Sequence, residues 1–103
     1  MIARVWKGTT RAEQADAYLE YLKRTGVADC RRTPGNRGVS ILRRIADGRA
    51  EFVFTSRWES WDAIRRFAGP ELEKAVYYPE DRDFLLSLDP HVEHYEVPLD
   101  EPA

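Results

Sequence analysis

One cysteine, Cys30, is all that the 103 residues contain. That excludes an internal disulfide, a cysteine-rich zinc site and a thiol pair, and it points to a reducing cytoplasm. Long apolar runs are missing as well: no eighteen apolar residues follow one another, and the first seven residues are broken by Arg4 and Lys7. Neither membrane insertion nor export is expected. Charge of one sign is also lacking, because 16 Lys and Arg are interleaved with 18 Asp and Glu for a formal net charge of -2. No sequence-wide field exists to grip phosphates, so nucleic acid is not an expected partner. The arginine pairs at 31–32, 43–44 and 65–66 lie apart along the chain, with acids such as Glu59 and Asp62 nearby, and read as solvated surface. Histidine is scarce. His91 and His94 are three apart, which on a strand turns them to opposite faces, so no metal site is expected.

What is present suffices for one core. Hydrophobic residues make up 43% and aromatics 12%, which supports a single domain over residues 1–97 followed by an acidic C-terminal tail, 98–103. Residues 2 to 7 alternate as a strand ending at Gly8. Thr10 and Glu13 have capping-box spacing, opening a helix with Ala12, Ala15, Leu19 and Leu22 on one face, Tyr18 beside them, and Glu20 one turn before Arg24. Gly26 interrupts or ends it. After a loop at Pro34 and Gly35, Val39, Ile41, Arg43 and Ile45 alternate with polar neighbours, and Asp47-Gly48 predicts a type I′ hairpin into a strand over 50 to 58. Ser60 caps a helix bearing Trp61, Ile64, Phe67 and Ala68, and Gly69-Pro70 stops it. A further turn through 75, a short helix over 80 to 88 and a last strand over 91 to 97 complete the chain.

The order β-α-β-β-α-β is that of the split βαβ, or ferredoxin-like, α+β fold: an antiparallel sheet with helices on one face. Strand residues alternate sides, and apolar residues occur on both faces of the third strand. A second sheet is therefore expected to cover the open face, most economically in a homodimer paired sheet to sheet.

The runs FTSRWESWDAIRRFAG at 54 to 69, AVYYPED at 75 to 81 and VEHYEV at 92 to 97 resemble the antibiotic biosynthesis monooxygenase (ABM-like) family of the dimeric α+β barrel superfamily. The resemblance implies the paired fold and two kinds of chemistry: cofactor-independent oxygenation of aromatic phenols and quinols, and heme degradation. The heme-degrading pattern carries a histidine after the second helix and an asparagine on the first strand. Here residues 74 to 77 contain no histidine and the first strand no asparagine.

Cofactor-independent oxygenation of a small planar aromatic is accordingly the leading reading, with no cofactor. His94 and Tyr78 are the candidate catalytic residues, since an imidazole or a phenol can move a substrate proton. Trp6, Trp61, Phe67 and Tyr77 are the candidate ring-binding residues. Each has a plainer reading beside it: His94 as a hydrogen-bonded structural histidine, the tyrosines as core or interface, Trp61 and Phe67 as helix-to-sheet packing. A non-catalytic ligand-binding or stress-associated dimer is the alternative from another class, because fold does not dictate function. An RNA-recognition motif shares the element order, but the third strand lacks its glycines and its third aromatic. Arginines flanking Cys30 would lower its thiol pKa, yet without a neighbouring base the thiol reads as incidental.

Overall fold

The computed structural model describes residues 1 to 102, and its strands follow the alternation. β1 (Ile2–Arg11), β2 (Asn36–Ala46), β3 (Arg49–Trp58) and β4 (Glu93–Glu96) form one sheet in the order β2-β3-β1-β4, with every neighbouring pair antiparallel. That is the ferredoxin-like order. Asp47 and Gly48 turn the central hairpin with φ of 54° and 74°, the pair of positive values that a type I′ turn demands.

Helices α1 (Ala15–Leu22), α2 (Ala28–Arg32) and α3 (Trp61–Ala68) cover one sheet face. Ala50, Phe52, Phe54, Ser56 and Trp58 of β3 alternate inward, and the register sets Ile2, Arg4 and Trp6 beside Trp58, Ser56 and Phe54. Tyr18, Tyr21 and Leu22 close on them from α1, and Ile64 from α3. Tyr18 meets the Phe52 ring edge-on, with centroids 5.2 Å apart. Ser60 caps α3 by accepting from the Ala63 amide, and Gly69 ends it with φ of 83°.

Several local expectations give way to tertiary contacts. β1 does not stop at Gly8, because pairing with β3 continues to Arg11 opposite Arg49. Gly8 serves another purpose: a Cβ there would stand 2.2 Å from Trp6 Cη2, so its bare backbone makes room for the indole. The extended strand uses up the capping box. Thr10 is fully buried with its hydroxyl donating to the Arg11 carbonyl, and a short turn of tighter helix over Ala12–Gln14 leads into α1 without a side-chain cap. Gly26 interrupts the helix without ending it. It sits in a widened turn, Lys23–Val27, that joins α1 to α2 and packs against Phe54, where a Cβ would come within 3.2 Å of the ring. Glu20 pairs with Lys23 rather than Arg24, which reaches towards Glu80.

After Gly69 the chain turns at residues 72 and 73, within the turn expected through 75. The expected helix over 80 to 88 shrinks to α4 (Asp81–Phe84), and the last strand is shorter than expected, with His91 making only an isolated bridge to Lys74. Two prolines, at 70 and 79, and backbone bonds to the strand side, such as Ala75 to Pro90 and Leu86 to Thr9, hold this segment against the domain in non-helical form.

The opposite sheet face has no helix over it. Val5, Leu42, Val53, Thr55 and Tyr95 fall on this side by register, and Leu42 and Tyr95 are 58% and 52% exposed. Among the described residues no helix is long and apolar enough to cross a membrane.

Candidate functional site

A cavity of about 50 Å³ lies between the helix layer and the inner sheet face. Trp6 and Phe54 line it from the strands, Phe67 from α3, and Tyr77 and Tyr78 from the segment that follows. Those walls are aromatic because alternation sends every second residue of β1 and β3 inward. The volume is room for a few waters, whereas a benzene-sized guest occupies a cavity of roughly 150 Å³. The 69 to 80 segment supplies three of the lining residues, Val76, Tyr77 and Tyr78.

Hydrogen bonds hold that segment down. The Tyr78 hydroxyl donates to Asp29 Oδ2 at 2.5 Å, and Asp81 accepts from both the Tyr78 amide at 2.7 Å and the Tyr18 hydroxyl at 2.9 Å. Tyr77 accepts from Trp6 Nε1 at 3.1 Å and donates to the Asp89 carbonyl. Burial, then the Asp29 hydrogen bond and charge, push the Tyr78 hydroxyl well above the ordinary phenol range; burial first, then Asp81, does the same to Tyr18. Both hydroxyls are donors at neutral pH. Burial also raises the Asp81 carboxyl, against the two hydrogen bonds that favour its anion.

Arg4 is 4% exposed at the cavity wall. Its Nη1 donates to the Leu72 carbonyl at 2.6 Å and its Nη2 to the Lys74 carbonyl at 2.8 Å. Nη1 also lies 3.0 Å from Nε2 of His94, the residue directly across from it on β4. A guanidinium can only donate, so His94 Nε2 accepts and the ring is the neutral tautomer protonated on Nδ1. Burial, with the Arg4 charge second, lowers the His94 pKa, and burial brings Arg4 down to about 10, still a cation at neutral pH.

Residues 1–76 match the family model for antibiotic biosynthesis monooxygenase. The chain belongs to the antibiotic biosynthesis monooxygenase family. Among solved structures it is similar to a candidate antibiotic biosynthesis monooxygenase from Bacillus cereus, at 19% identity over 99% of this chain and 97% of that one, with a TM-score of 0.69. It is also similar to a mutant of MhuD with two manganese protoporphyrin IX molecules bound per active site, at 18% identity over the full length of both chains and a TM-score of 0.61. At these identities the likeness is one of fold. No curated protein matches the chain.

Within this family member, Trp6, Phe67, Tyr77 and Tyr78 come together at the cavity. His94 and Trp61 stand apart from its lining. Trp61, expected on the sheet-facing side of its helix, is 45% exposed at the first turn and meets the His94 ring edge-on at 5.2 Å. The helix buries Ala63 and Ile64 instead. Arg4 and Asp81 were not singled out from sequence. Arg4 carried a readable signal, an arginine between Ile2 and Trp6 on the inward side of a strand; Asp81 became legible only once its partners were in place. Among the described residues no cluster of three His, Cys, Asp or Glu is placed to hold a metal.

Cys30 corrects the reading from its flanking arginines. Arg31 and Arg32 project outward, while the thiol is fully buried and burial pushes its pKa up to about 12, against the opposing pull of Arg4. Native protein at pH 8 should react with a disulfide reagent at the rate of global unfolding only, and denatured protein at once. Prompt labelling of the native chain would refute the buried thiol.

The His94 shift has a stability consequence. The folded pKa lies below the unfolded value near 6.5, so the unfolded state binds more protons in the window between them. This contribution is complete above about pH 6.5 and is lost as pH falls through the folded value, when His94 becomes a cation against Arg4. Thermal melts between pH 7.5 and 5 should fall more for the wild type than for His94→Gln; parallel curves would remove the Arg4 contact as the cause.

Proposed function

We propose that the protein is a monooxygenase of this family acting on a small planar aromatic phenol or quinol, without a cofactor, and that the aromatic-walled cavity beside Arg4 is where the ring sits. That cavity is the observation carrying the reading. Trp6, Phe67, Tyr77 and Tyr78 stack on and cap the ring. Asp81, the carboxylate lining the cavity, takes a substrate proton; its raised pKa suits it to an acidic phenol or benzylic position. The resulting carbanion reduces dioxygen to a bound hydroperoxide, which breaks its O–O bond. An activated CH₂ becomes C=O, with one oxygen atom retained and the other released as water, so the substrate supplies all four electrons. Tyr78, once its hydroxyl leaves Asp29, donates a hydrogen bond to the developing oxygen anion. His94 acts through Arg4, which it contacts, and Trp61 holds the His94 ring; both are positioning residues.

The cavity does not suit a porphyrin. No histidine lines it to hold an iron. The second reading, a ligand-binding protein without turnover, draws on the engagement of both tyrosine hydroxyls: no fully buried side-chain nitrogen or oxygen among the described residues lacks a partner. Oxygen-electrode assays against a panel of hydroquinones and anthrones, with chelator present, decide between them. Oxygen consumption matched one-to-one by quinone formation from an anthrone, without release of hydrogen peroxide, supports turnover. Binding of the same compounds without uptake leaves the ligand-binding protein.

The open sheet face supports a homodimer paired sheet to sheet. Light scattering should give twice the 12.0 kDa chain mass, and Val53→Asp, placing a charge at the centre of that face, should give the single mass. A wild-type monomer at micromolar concentration would overturn the pairing.

A further inference from the structure

A buried charge normally has a counter-ion, because removing an ion from water without one is costly. Arg4 has none. Among the described residues no carboxylate lies within 4.0 Å of it, and its neutral partners are two backbone carbonyls and the His94 ring. Those partners use three of the five guanidinium N–H groups. Nε–H and the second Nη2–H have no acceptor. Yet no fully buried side-chain nitrogen among the described residues lacks a partner, so the Arg4 Nε reaches accessible space. The space that Arg4 lines is the aromatic cavity.

We propose that the ligand of this cavity is a planar aromatic that carries an ionised oxygen, a phenolate or carboxylate, and that it seats this oxygen on the free N–H groups of Arg4. This inference rests on the cavity being the binding site and names the class of compound it takes. The missing counter-ion is supplied by the ligand. Phe67, over which the guanidinium lies at 5.9 Å, and Trp6 then flank the attached ring. Asp81 is the acidic group facing the same cavity, and its anion opposes a bound anion; the hydrogen bonds from Tyr18 and Tyr78 that spread its charge reduce this opposition. The neutral His94 imidazole leaves the Arg4 charge undivided. Because the Leu72 and Lys74 carbonyls are also held by Arg4, an arriving oxygen anion meets the cation at the point where the 69 to 80 segment is fastened.

The test compares two ligands of one shape. Isothermal titration calorimetry of the full chain at pH 7 with 2-naphthoate and with 2-naphthamide should show the carboxylate binding more tightly by about tenfold or more, the size of a charge-assisted hydrogen bond. In Arg4→Met the preference should vanish, and in Arg4→Lys, which keeps the charge but loses the fork, it should shrink. If Arg4→Met does not fold, the wild-type comparison and Arg4→Lys still decide. Equal affinities in the wild type, binding of neither compound, or a preference that persists without the guanidinium would each overturn the proposal. The outcome is separate from oxygenation: a carboxylate preference with no oxygen uptake on any phenol would sink the monooxygenase reading and leave the anion site standing.

Discussion

Trp58→Ala should lower stability by about 3–5 kcal/mol, the range for deleting a fully buried indole. Trp58 is 0% exposed at the end of β3, stacks on Phe67 of α3 at 5.6 Å and donates from Nε1 to Ser56 Oγ at 2.9 Å. The alanine leaves a void under α3 and removes one donor from the Ser56 hydroxyl, itself 2% exposed. For a domain of this size each kcal/mol moves the melting temperature by roughly 4–8 °C, so a drop of about 12 °C or more is expected. Since whole-domain stabilities run to about 5–15 kcal/mol, the variant should sit close to unfolding. Trp58→Phe should recover most of the loss, because the ring remains and only its hydrogen bond goes. A calorimetric melt checks both, and a fall of a few degrees in the alanine variant would mean that α3 is not anchored on this ring.

The Asp81 pair of variants should separate folding from turnover. Asp81→Ala leaves two donors, the Tyr18 hydroxyl and the Tyr78 amide, without their acceptor in a site 3% exposed, at a cost of about 2–4 kcal/mol. Asp81→Asn is different. Its carbonyl oxygen can still accept from the Tyr78 amide, and its NH₂ can donate to the Tyr18 oxygen once that hydroxyl turns. A smaller stability loss than in Asp81→Ala is expected, because only the Tyr18 proton is left without its acceptor; with the proton acceptor removed, oxygenation should fall by about 10²–10⁴-fold, the usual worth of a general base. The pH profile gives a further check. With the carboxyl pKa raised by burial, wild-type turnover should decline as pH falls through that raised value, because the protonated acid cannot accept. Full activity in Asp81→Asn would assign proton transfer elsewhere.

These residues differ in how far a one-dimensional reading could reach them. Strand alternation and the Asp47-Gly48 turn were legible because they depend on neighbours within a few positions, and with Ser60 and Gly69 they bound the hairpin and α3 correctly. That Phe52, Phe54 and Trp58 share a face follows from the same two-residue period, but only the packing of the helices makes that face the inner one. Where local and long-range terms compete, local rules gave way. Thr10 and Glu13 have capping-box spacing, but pairing with β3 out to Arg49 keeps Thr10 in the strand. Trp61 looked like a core residue by helical spacing, yet the first turn of α3 overhangs β4 and leaves it against His94.

By itself the sequence determined the ferredoxin-like order, the hairpin, the apolar character of both sheet faces and the kinship carried by residues 54 to 69. The first three rest on periodicity and turn chemistry, which are properties of short stretches, and the kinship on the resemblance of residues 54 to 69, 75 to 81 and 92 to 97 to the family. Only the tertiary structure decided that Arg4 is buried without a counter-ion, that His94 is its neutral acceptor, and that Asp81 gathers Tyr18 and Tyr78 at the cavity. Their partners lie 63 to 90 positions away, or come from a turn whose path is set by packing. Charge, burial and proton affinity depend on which groups meet across such distances, and the chain must fold before those meetings exist.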